Sequence, residues 1–213
     1  YNATFTYPAG GAIQYVNALL HDLDAEKIRY REELLSVDVD NRVATTSKGR
    51  IKYRHLLSAL PLPRLLHMTG CGFDRSLYSY NKVLVFNIGF NAKGQDRDHW
   101  IYIPDRDLRF YRVGFYDNIF GSDRMSLYVE IGMSPDESVS IEAEFERTLA
   151  DLKKAGIVTG QELVSWHSVL LDPAYVHIHE KGQADANAWR VELAGKGVHS
   201  AGRYGAWKYC SIE

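Results

Sequence analysis

Apolar residues alternate with polar ones along much of this chain and change to helical spacing in only a few places. The first is Gly11–His21, where Ala12, Val16, Leu19 and Leu20 recur at three- and four-residue steps behind the breaker Pro8-Ala9-Gly10-Gly11. Alternation follows, with Leu35, Val37 and Val39 set against Ser36, Asp38 and Asp40. Asp40-Asn41 and Lys48-Gly49 are turn pairs, so Leu34–Tyr53 is predicted to be a three-stranded meander. Leu56–Leu60 reads as a short buried strand ended by Pro61 and Pro63. Further strands are predicted at Lys82–Phe90, Trp100–Ile103, Arg109–Tyr116 and Met125–Gly132.

The clearest helix is predicted at Pro135–Ala155. Ser134 would cap it, Pro135 fits the first helical position, and Glu137 stands three after the cap. Ile141, Phe145, Leu149 and Leu152 line one face, and Gly156 closes it. A strand at Leu163–Leu171, a helix near Asp185–Ala194 and a strand at Val198–Ala201 complete the pattern. Strands dominate without a steady strand–helix–strand alternation, which predicts an α+β (mixed α/β) fold around a largely antiparallel sheet.

Composition narrows the function classes. At 213 residues the chain can bury the core of one large domain or two small ones. A net charge of −2 gives no reason to expect a nucleic-acid partner, which usually leaves a basic stripe. Apolar runs such as Leu56–Leu62 are too short to span a bilayer. Cys71 and Cys210 stand far apart in sequence and are expected to be free thiols in a reducing cytoplasm.

Two stretches carry candidate chemistry. On a strand, Trp100 and Tyr102 share one face, and a hairpin at Asp105-Arg106-Asp107 would return Arg112 to the same end of the sheet. Aromatic faces beside a guanidinium suit a nucleotide or sugar phosphate. The plainer alternative is an aromatic cross-strand pair with a surface arginine. Gly202-Arg203-Tyr204-Gly205 follows a predicted strand. Its glycines permit close approach to a ligand, and Arg203 suits an electron-rich ring; a tight turn is the alternative. His177 and His179 alternate as a metal pair would, or as ordinary strand residues; no carboxylate or cysteine at useful spacing supports a metal. No serine occupies a nucleophile-elbow sequence.

In order and spacing these pieces resemble the flavin amine oxidase and protoporphyrinogen oxidase superfamily, and within it the UDP-galactopyranose mutases and mutase-like flavoproteins. Phe5-Thr6-Tyr7-Pro8-Ala9-Gly10-Gly11 resembles the family's YP-x-GG motif. Leu34–Pro61, ending in Ser58-Ala59-Leu60-Pro61, resembles the meander and strand beside the FAD adenine, where a backbone group at the position of Leu34 contacts the ring. Trp100 and Tyr102 stand where the mutases wall their substrate. Arg112, in Phe110-Tyr111-Arg112, stands where they grip the diphosphate, and Tyr175 and Tyr209 where two tyrosines also hold it. Arg203, between Gly202 and Gly205, stands where an arginine meets the flavin. Two features depart from the pattern: Cys210-Ser211-Ile212-Glu213 replaces a Gly-Asn-Gln stretch, and the G-x-G-x-x-G dinucleotide fingerprint and a second substrate arginine are absent.

The resemblance implies that the chain is the C-terminal part of a larger FAD enzyme, without the N-terminal Rossmann part. Residues 1–62 and 198–213 would belong to its FAD-binding domain and 63–197 to its substrate domain. It implies conversion of UDP-galactopyranose to the furanose form, in which reduced flavin attacks the anomeric carbon, UDP leaves, the sugar ring opens and recloses smaller, and UDP returns. The chemistry would sit on the flavin rather than on a catalytic side chain. A flavin-dependent oxidoreductase of the same superfamily is the second reading, and a non-catalytic binding module the third. The expected partners are a nucleotide-sugar substrate and the N-terminal half of the enzyme, without which FAD is not expected to be held.

Overall fold

A computed structural model describes residues 5–210. Its largest element is a five-stranded antiparallel sheet, order β6-β7-β8-β5-β9, built from β5 (Tyr80–Phe90), β6 (Trp100–Tyr102), β7 (Arg112–Phe115), β8 (Ser126–Met133) and β9 (Leu163–Val176). Strict alternation gives the sheet two different faces. Leu84, Phe86, Ile88, Val113, Phe115, Leu127, Val129 and Ile131 point to one side and form a core with Phe145 and Leu152 of helix α4 (Ile141–Lys154). The Phe145 ring stacks on Trp166 at 4.1 Å between centroids. Arg112, Gly114, Tyr128, Glu130 and Val85 fall on the opposite side by the same alternation.

A second core joins residues far apart in sequence. Val37 of β1 (Leu34–Asp38), Leu62, Leu65 and Leu66 of α2 (Leu62–Met68), Leu193 of α5 (Glu180–Gly195), Val198 of β10 (Val198–Ser200) and Trp207 pack together. The predicted meander is present: β1, β2 (Val43–Thr46) and β3 (Gly49–Lys52) pair antiparallel in sequence order. Strand β4 (Leu56–Ser58) pairs parallel with β10. The first helix, α1 (Ile13–Leu20), has no buried residue, and a short helix α3 (Tyr116–Phe120) follows β7.

Several predicted boundaries shift, each for a local reason. The long helix begins at Ile141, not Pro135, with the Ser140 hydroxyl accepting the Ala143 N–H at 3.4 Å. Ser134–Glu137 instead closes into a turn, the Glu137 N–H donating to the Ser134 carbonyl at 3.2 Å. The Glu137 carboxylate accepts the Ser134 N–H at 3.2 Å and also holds Arg109 at 2.5 Å, and its carbonyl takes the Lys82 ammonium at 2.7 Å. Helix α2 was not predicted, because Pro61 and Pro63 read as strand breakers. They occupy the N-cap and first turn, where a missing N–H costs nothing. Strand β9 runs on to Val176, five residues past its predicted end, because the Asn81 side chain takes the Tyr175 N–H at 3.0 Å where the pairing with β5 shifts. Helix α5 likewise starts five residues early, at Glu180. Gly202–Gly205 folds as a single helical turn, α6.

Candidate functional site

Arg112 opens β7 and pairs with Tyr102 of β6 and Glu130 of β8, so three side chains from three strands meet on the face away from α4. Its Nη1 donates to the Tyr102 hydroxyl at 3.1 Å, and its Nη2 to Glu130 Oε1. The guanidinium also lies 5.6 Å and 6.0 Å from the Tyr102 and Tyr128 ring centroids, while its Nε is buried without a partner. The second carboxylate oxygen of Glu130 accepts from the Tyr111 hydroxyl at 2.5 Å. Burial opposes the charge of Arg112, but the bonds to Glu130 and Tyr102 outweigh it and hold its pKa above the ordinary value. Burial first, then Glu130, raises the Tyr111 pKa, and burial raises those of Tyr116 and Tyr128. The Tyr111, Tyr116 and Tyr128 hydroxyls are therefore held neutral beside the charged Arg112.

Beside this group lies a groove of about 490 Å³ walled by Tyr7, Trp100, Tyr116, Tyr128 and Glu130, with Phe5 at its rim. Trp100 and Tyr102 share a face, as their alternation predicts, and both are exposed. Phe5 packs on Trp100 at 6.0 Å, bringing the Phe5–Gly11 segment to the groove. The close fit of β7 on β8 depends on Gly114: a Cβ there would stand 1.9 Å from the Tyr128 ring.

The C-terminal motif forms a second cluster. The Arg203 guanidinium lies 5.3 Å, 5.6 Å and 5.0 Å from the ring centroids of Tyr175, Tyr204 and Tyr209. Tyr175 and Tyr209 stand 6.0 Å apart. The Arg203 Nε and Nη2 are buried and hold no hydrogen-bond partner. Gly202 sits at φ +73°, which favours glycine, and a Cβ on Gly205 would meet the Ser58 carbonyl at 3.0 Å. Leu34 lies in β1, half-buried against the second core, and takes part in none of these contacts.

The predicted residues Trp100, Tyr102 and Arg112 thus come together, as do Tyr175, Arg203 and Tyr209. Glu130 and Tyr128 were missed. Their signal is the run Leu127-Tyr128-Val129-Glu130-Ile131, in which a carboxylate interrupts an otherwise apolar strand at alternate spacing. His177 and His179 prove to lie just past the end of β9, with structural bonds. His177 Nδ1 meets the Ser79 hydroxyl at 3.1 Å. His179 caps α5 by accepting the Gly182 N–H at 3.1 Å, and its Nε2 meets the Leu77 carbonyl at 3.0 Å. Cys71 is half-buried, Cys210 is exposed, and both are free. Among the described residues no helix is long and apolar enough to cross a membrane.

No family model matches the chain. Solved structures do. A reduced UDP-galactopyranose mutase superposes with a TM-score of 0.84 at 23% identity, over 95% of this chain and 47% of the mutase. A protein described as a protoporphyrinogen oxidase, from Exiguobacterium, gives 0.75 at 16% identity, over 91% of this chain and 46% of its own. An oxidoreductase from Methanosarcina mazei gives 0.61 at 14% identity, over 93% and 50%. The chain spans about half the length of each of these proteins. Over that half, its fold is like that of each of these three proteins.

Proposed function

We propose that the chain is the substrate-gripping part of an FAD-dependent isomerase that converts UDP-galactopyranose to UDP-galactofuranose. The observation that carries this reading is the pair of arginine–tyrosine clusters, one around Arg112 and one around Arg203. They offer two guanidinium groups and several phenols, groups suited to a diphosphate, and an aromatic groove beside Arg112 suited to a sugar and a base. Residues 1–62 and 198–213 would form the cofactor side and 63–197 the substrate side, a division supported by the parallel pairing of β4 with β10. Two free thiols fit a cytoplasmic location.

FAD suits the residues present. The two unpartnered Arg203 nitrogens would satisfy flavin carbonyl oxygens, and Gly202 leaves open space beside its Cα, while Gly205 lets the turn pack against the Ser58 carbonyl. When bound, FAD supplies the covalent chemistry. The chain's own work is electrostatic: Arg112, Tyr175 and Tyr209 hold the diphosphate as it departs and returns, when its charge is greatest. Glu130 shapes that grip. It fixes the guanidinium plane and leaves Nε as the unpartnered donor, so the arginine is positioned before substrate arrives. Trp100 and Tyr102 offer exposed ring faces at the mouth.

The aromatic lining of the groove by Tyr7, Trp100, Tyr116 and Tyr128 favours a second reading, in which an apolar ring is oxidised by hydride transfer to flavin. Titrating the reduced, full-length enzyme with UDP separates the two. The mutase reading expects saturable binding that Arg112→Ala weakens by about ten- to several-hundred-fold, the effect of one or two charge-assisted hydrogen bonds. Arg112→Lys should recover part of it, because an ammonium cannot present a planar fork. Absence of UDP binding by the wild type would leave the oxidoreductase.

A further inference from the structure

His55 and His199 stand far apart in sequence, yet Nδ1 of His55 lies 3.3 Å from Nε2 of His199. The ring centroids are 5.5 Å apart and the planes are inclined by 35°. The fold fixes this meeting. Parallel pairing of β10 with β4 sets His199 opposite Leu57, and the Leu56 N–H donates to the Gly197 carbonyl at 2.9 Å. His55 and Leu57 are two residues apart, so both share the face of His199, while Leu56 and Val198 enter the second core on the other. The shared face is open, with Leu57 75% exposed.

The bonding of these rings differs from that of the other paired histidines. His177 and His179 are bonded to Ser79, Gly182 and Leu77, His67 to Arg75, and His21 to Asp22. Each ring of the His55–His199 pair is bonded to the other. We propose that the pair is a bidentate site for a borderline divalent cation: zinc, nickel or copper. Two imidazole nitrogens on a tetrahedral ion, each at about 2.0–2.1 Å, lie about 3.3–3.4 Å apart, which is the separation found. Neutral imidazoles select these metals over magnesium or calcium. The ring that now donates to its neighbour adopts its other neutral tautomer, so both nitrogens offer lone pairs and no net proton is released.

Among the described residues no group of three or more His, Cys, Asp or Glu side chains is placed to hold a metal ion, so water or a small anion completes the shell. Arg54 and Lys196 flank the pair in sequence and favour an anion; Lys196 itself is paired to Asp40 at 3.3 Å. The bound ion would clamp β4 to β10, two short strands from distant parts of the chain.

The test is calorimetric titration of the metal-free chain with zinc chloride or nickel chloride in a non-coordinating buffer near neutral pH, with thermal melts alongside. One ion per chain and a raised melting temperature are expected. His55→Gln and His199→Gln should each weaken binding by at least about tenfold, the least that disturbing even an outer-shell partner usually costs, and should abolish the metal-dependent rise. Their metal-free melts report whether the fold is kept. His167→Ala should bind as the wild type does. Failure of the wild type to bind zinc or nickel up to about 1 mM, or full binding by both glutamine variants, would overturn the site.

Discussion

Glu130 holds Arg112 before any ligand arrives: one carboxylate oxygen takes the guanidinium and the other takes the Tyr111 hydroxyl. Both side chains are mostly buried, at 23% and 10% exposure. Arg112→Ala therefore does more than remove the proposed substrate contact, since it leaves a buried carboxylate without its partner. We expect a loss of roughly 2–4 kcal/mol in chemical denaturation, below the fully buried range because the arginine has one open side. Arg112→Ala combined with Glu130→Gln should regain a large part of that loss. If the double variant is no more stable than the single one, the pair does not act as a unit.

Gly114 is required by the Tyr128 ring that lies over it. A methyl group at 1.9 Å from that ring cannot be absorbed by small movements, so Gly114→Ala must expel the phenol from the groove wall. The expected cost is about 2–3 kcal/mol by urea denaturation. Adding Tyr128→Ser should restore much of the stability, and no restoration would mean that the clash lies elsewhere.

How much of this was legible beforehand varied with the range of the interaction. Period-two alternation located β5 through β8 to within a few residues, and the shared face of Trp100 and Tyr102 followed from it. The long helix was legible in its body and its glycine stop, but Ser134-Pro135-Asp136-Glu137 carried a complete capping sequence that lost to Ser140. The Glu137 carboxylate does reach back to the Ser134 N–H at 3.2 Å while also holding Arg109, but this closes a turn, and the helix starts only where the Ser140 hydroxyl takes the Ala143 N–H. Pairings such as Arg112 with Glu130, or His55 with His199, depend on strand register and have no local signature. Order and spacing of the motifs indicated which arginines and tyrosines would gather, whereas the carboxylate that positions one of them emerged only from three-dimensional packing.

Alkaline pH should weaken the fold. Tyr78, Tyr111, Tyr116 and Tyr128 all have pKa values raised by burial, with Asp185 and Glu130 adding to the shift at Tyr78 and Tyr111. The folded state therefore keeps protons that the unfolded chain releases near pH 10. Stability from these groups is fully present below about pH 10 and falls as pH rises from there through the folded values. Denaturation midpoints taken from about pH 8 to about pH 11 should decline, and absorbance near 295 nm should show part of the tyrosine titrating late. Tyr111→Phe should flatten the decline. An unchanged slope would remove Tyr111 from the account.

Helix α1 presents Ile13, Tyr15, Val16 and Leu19 to solvent and buries nothing. A contiguous apolar helix face of this kind associates in water. The chain should self-associate with rising concentration in sedimentation velocity, and Val16→Glu with Leu19→Lys should suppress this without lowering the melting temperature. A wild type that stays strictly monomeric at high concentration would show that the exposed face is harmless.

The cofactor reading is tested by colour. The residues proposed for the flavin, Gly202, Arg203 and Gly205, offer donors for its ring system but no strand-to-helix turn for its pyrophosphate. In dinucleotide-binding folds that group sits at a helix N-terminus behind glycines. The chain carries no G-x-G-x-x-G sequence, and the helical turn at Gly202–Gly205 is too short to replace it. Anchoring FAD should therefore depend on a second polypeptide segment, and the purified chain should show no visible flavin absorbance even after incubation with FAD. Joined to a segment that supplies the pyrophosphate turn, it should bind the cofactor, and Arg203→Ala should then lower the affinity. Stoichiometric, tightly held FAD on this chain alone would mean that the pyrophosphate is gripped by residues other than those identified, and the assignment of the cofactor side would have to be redrawn.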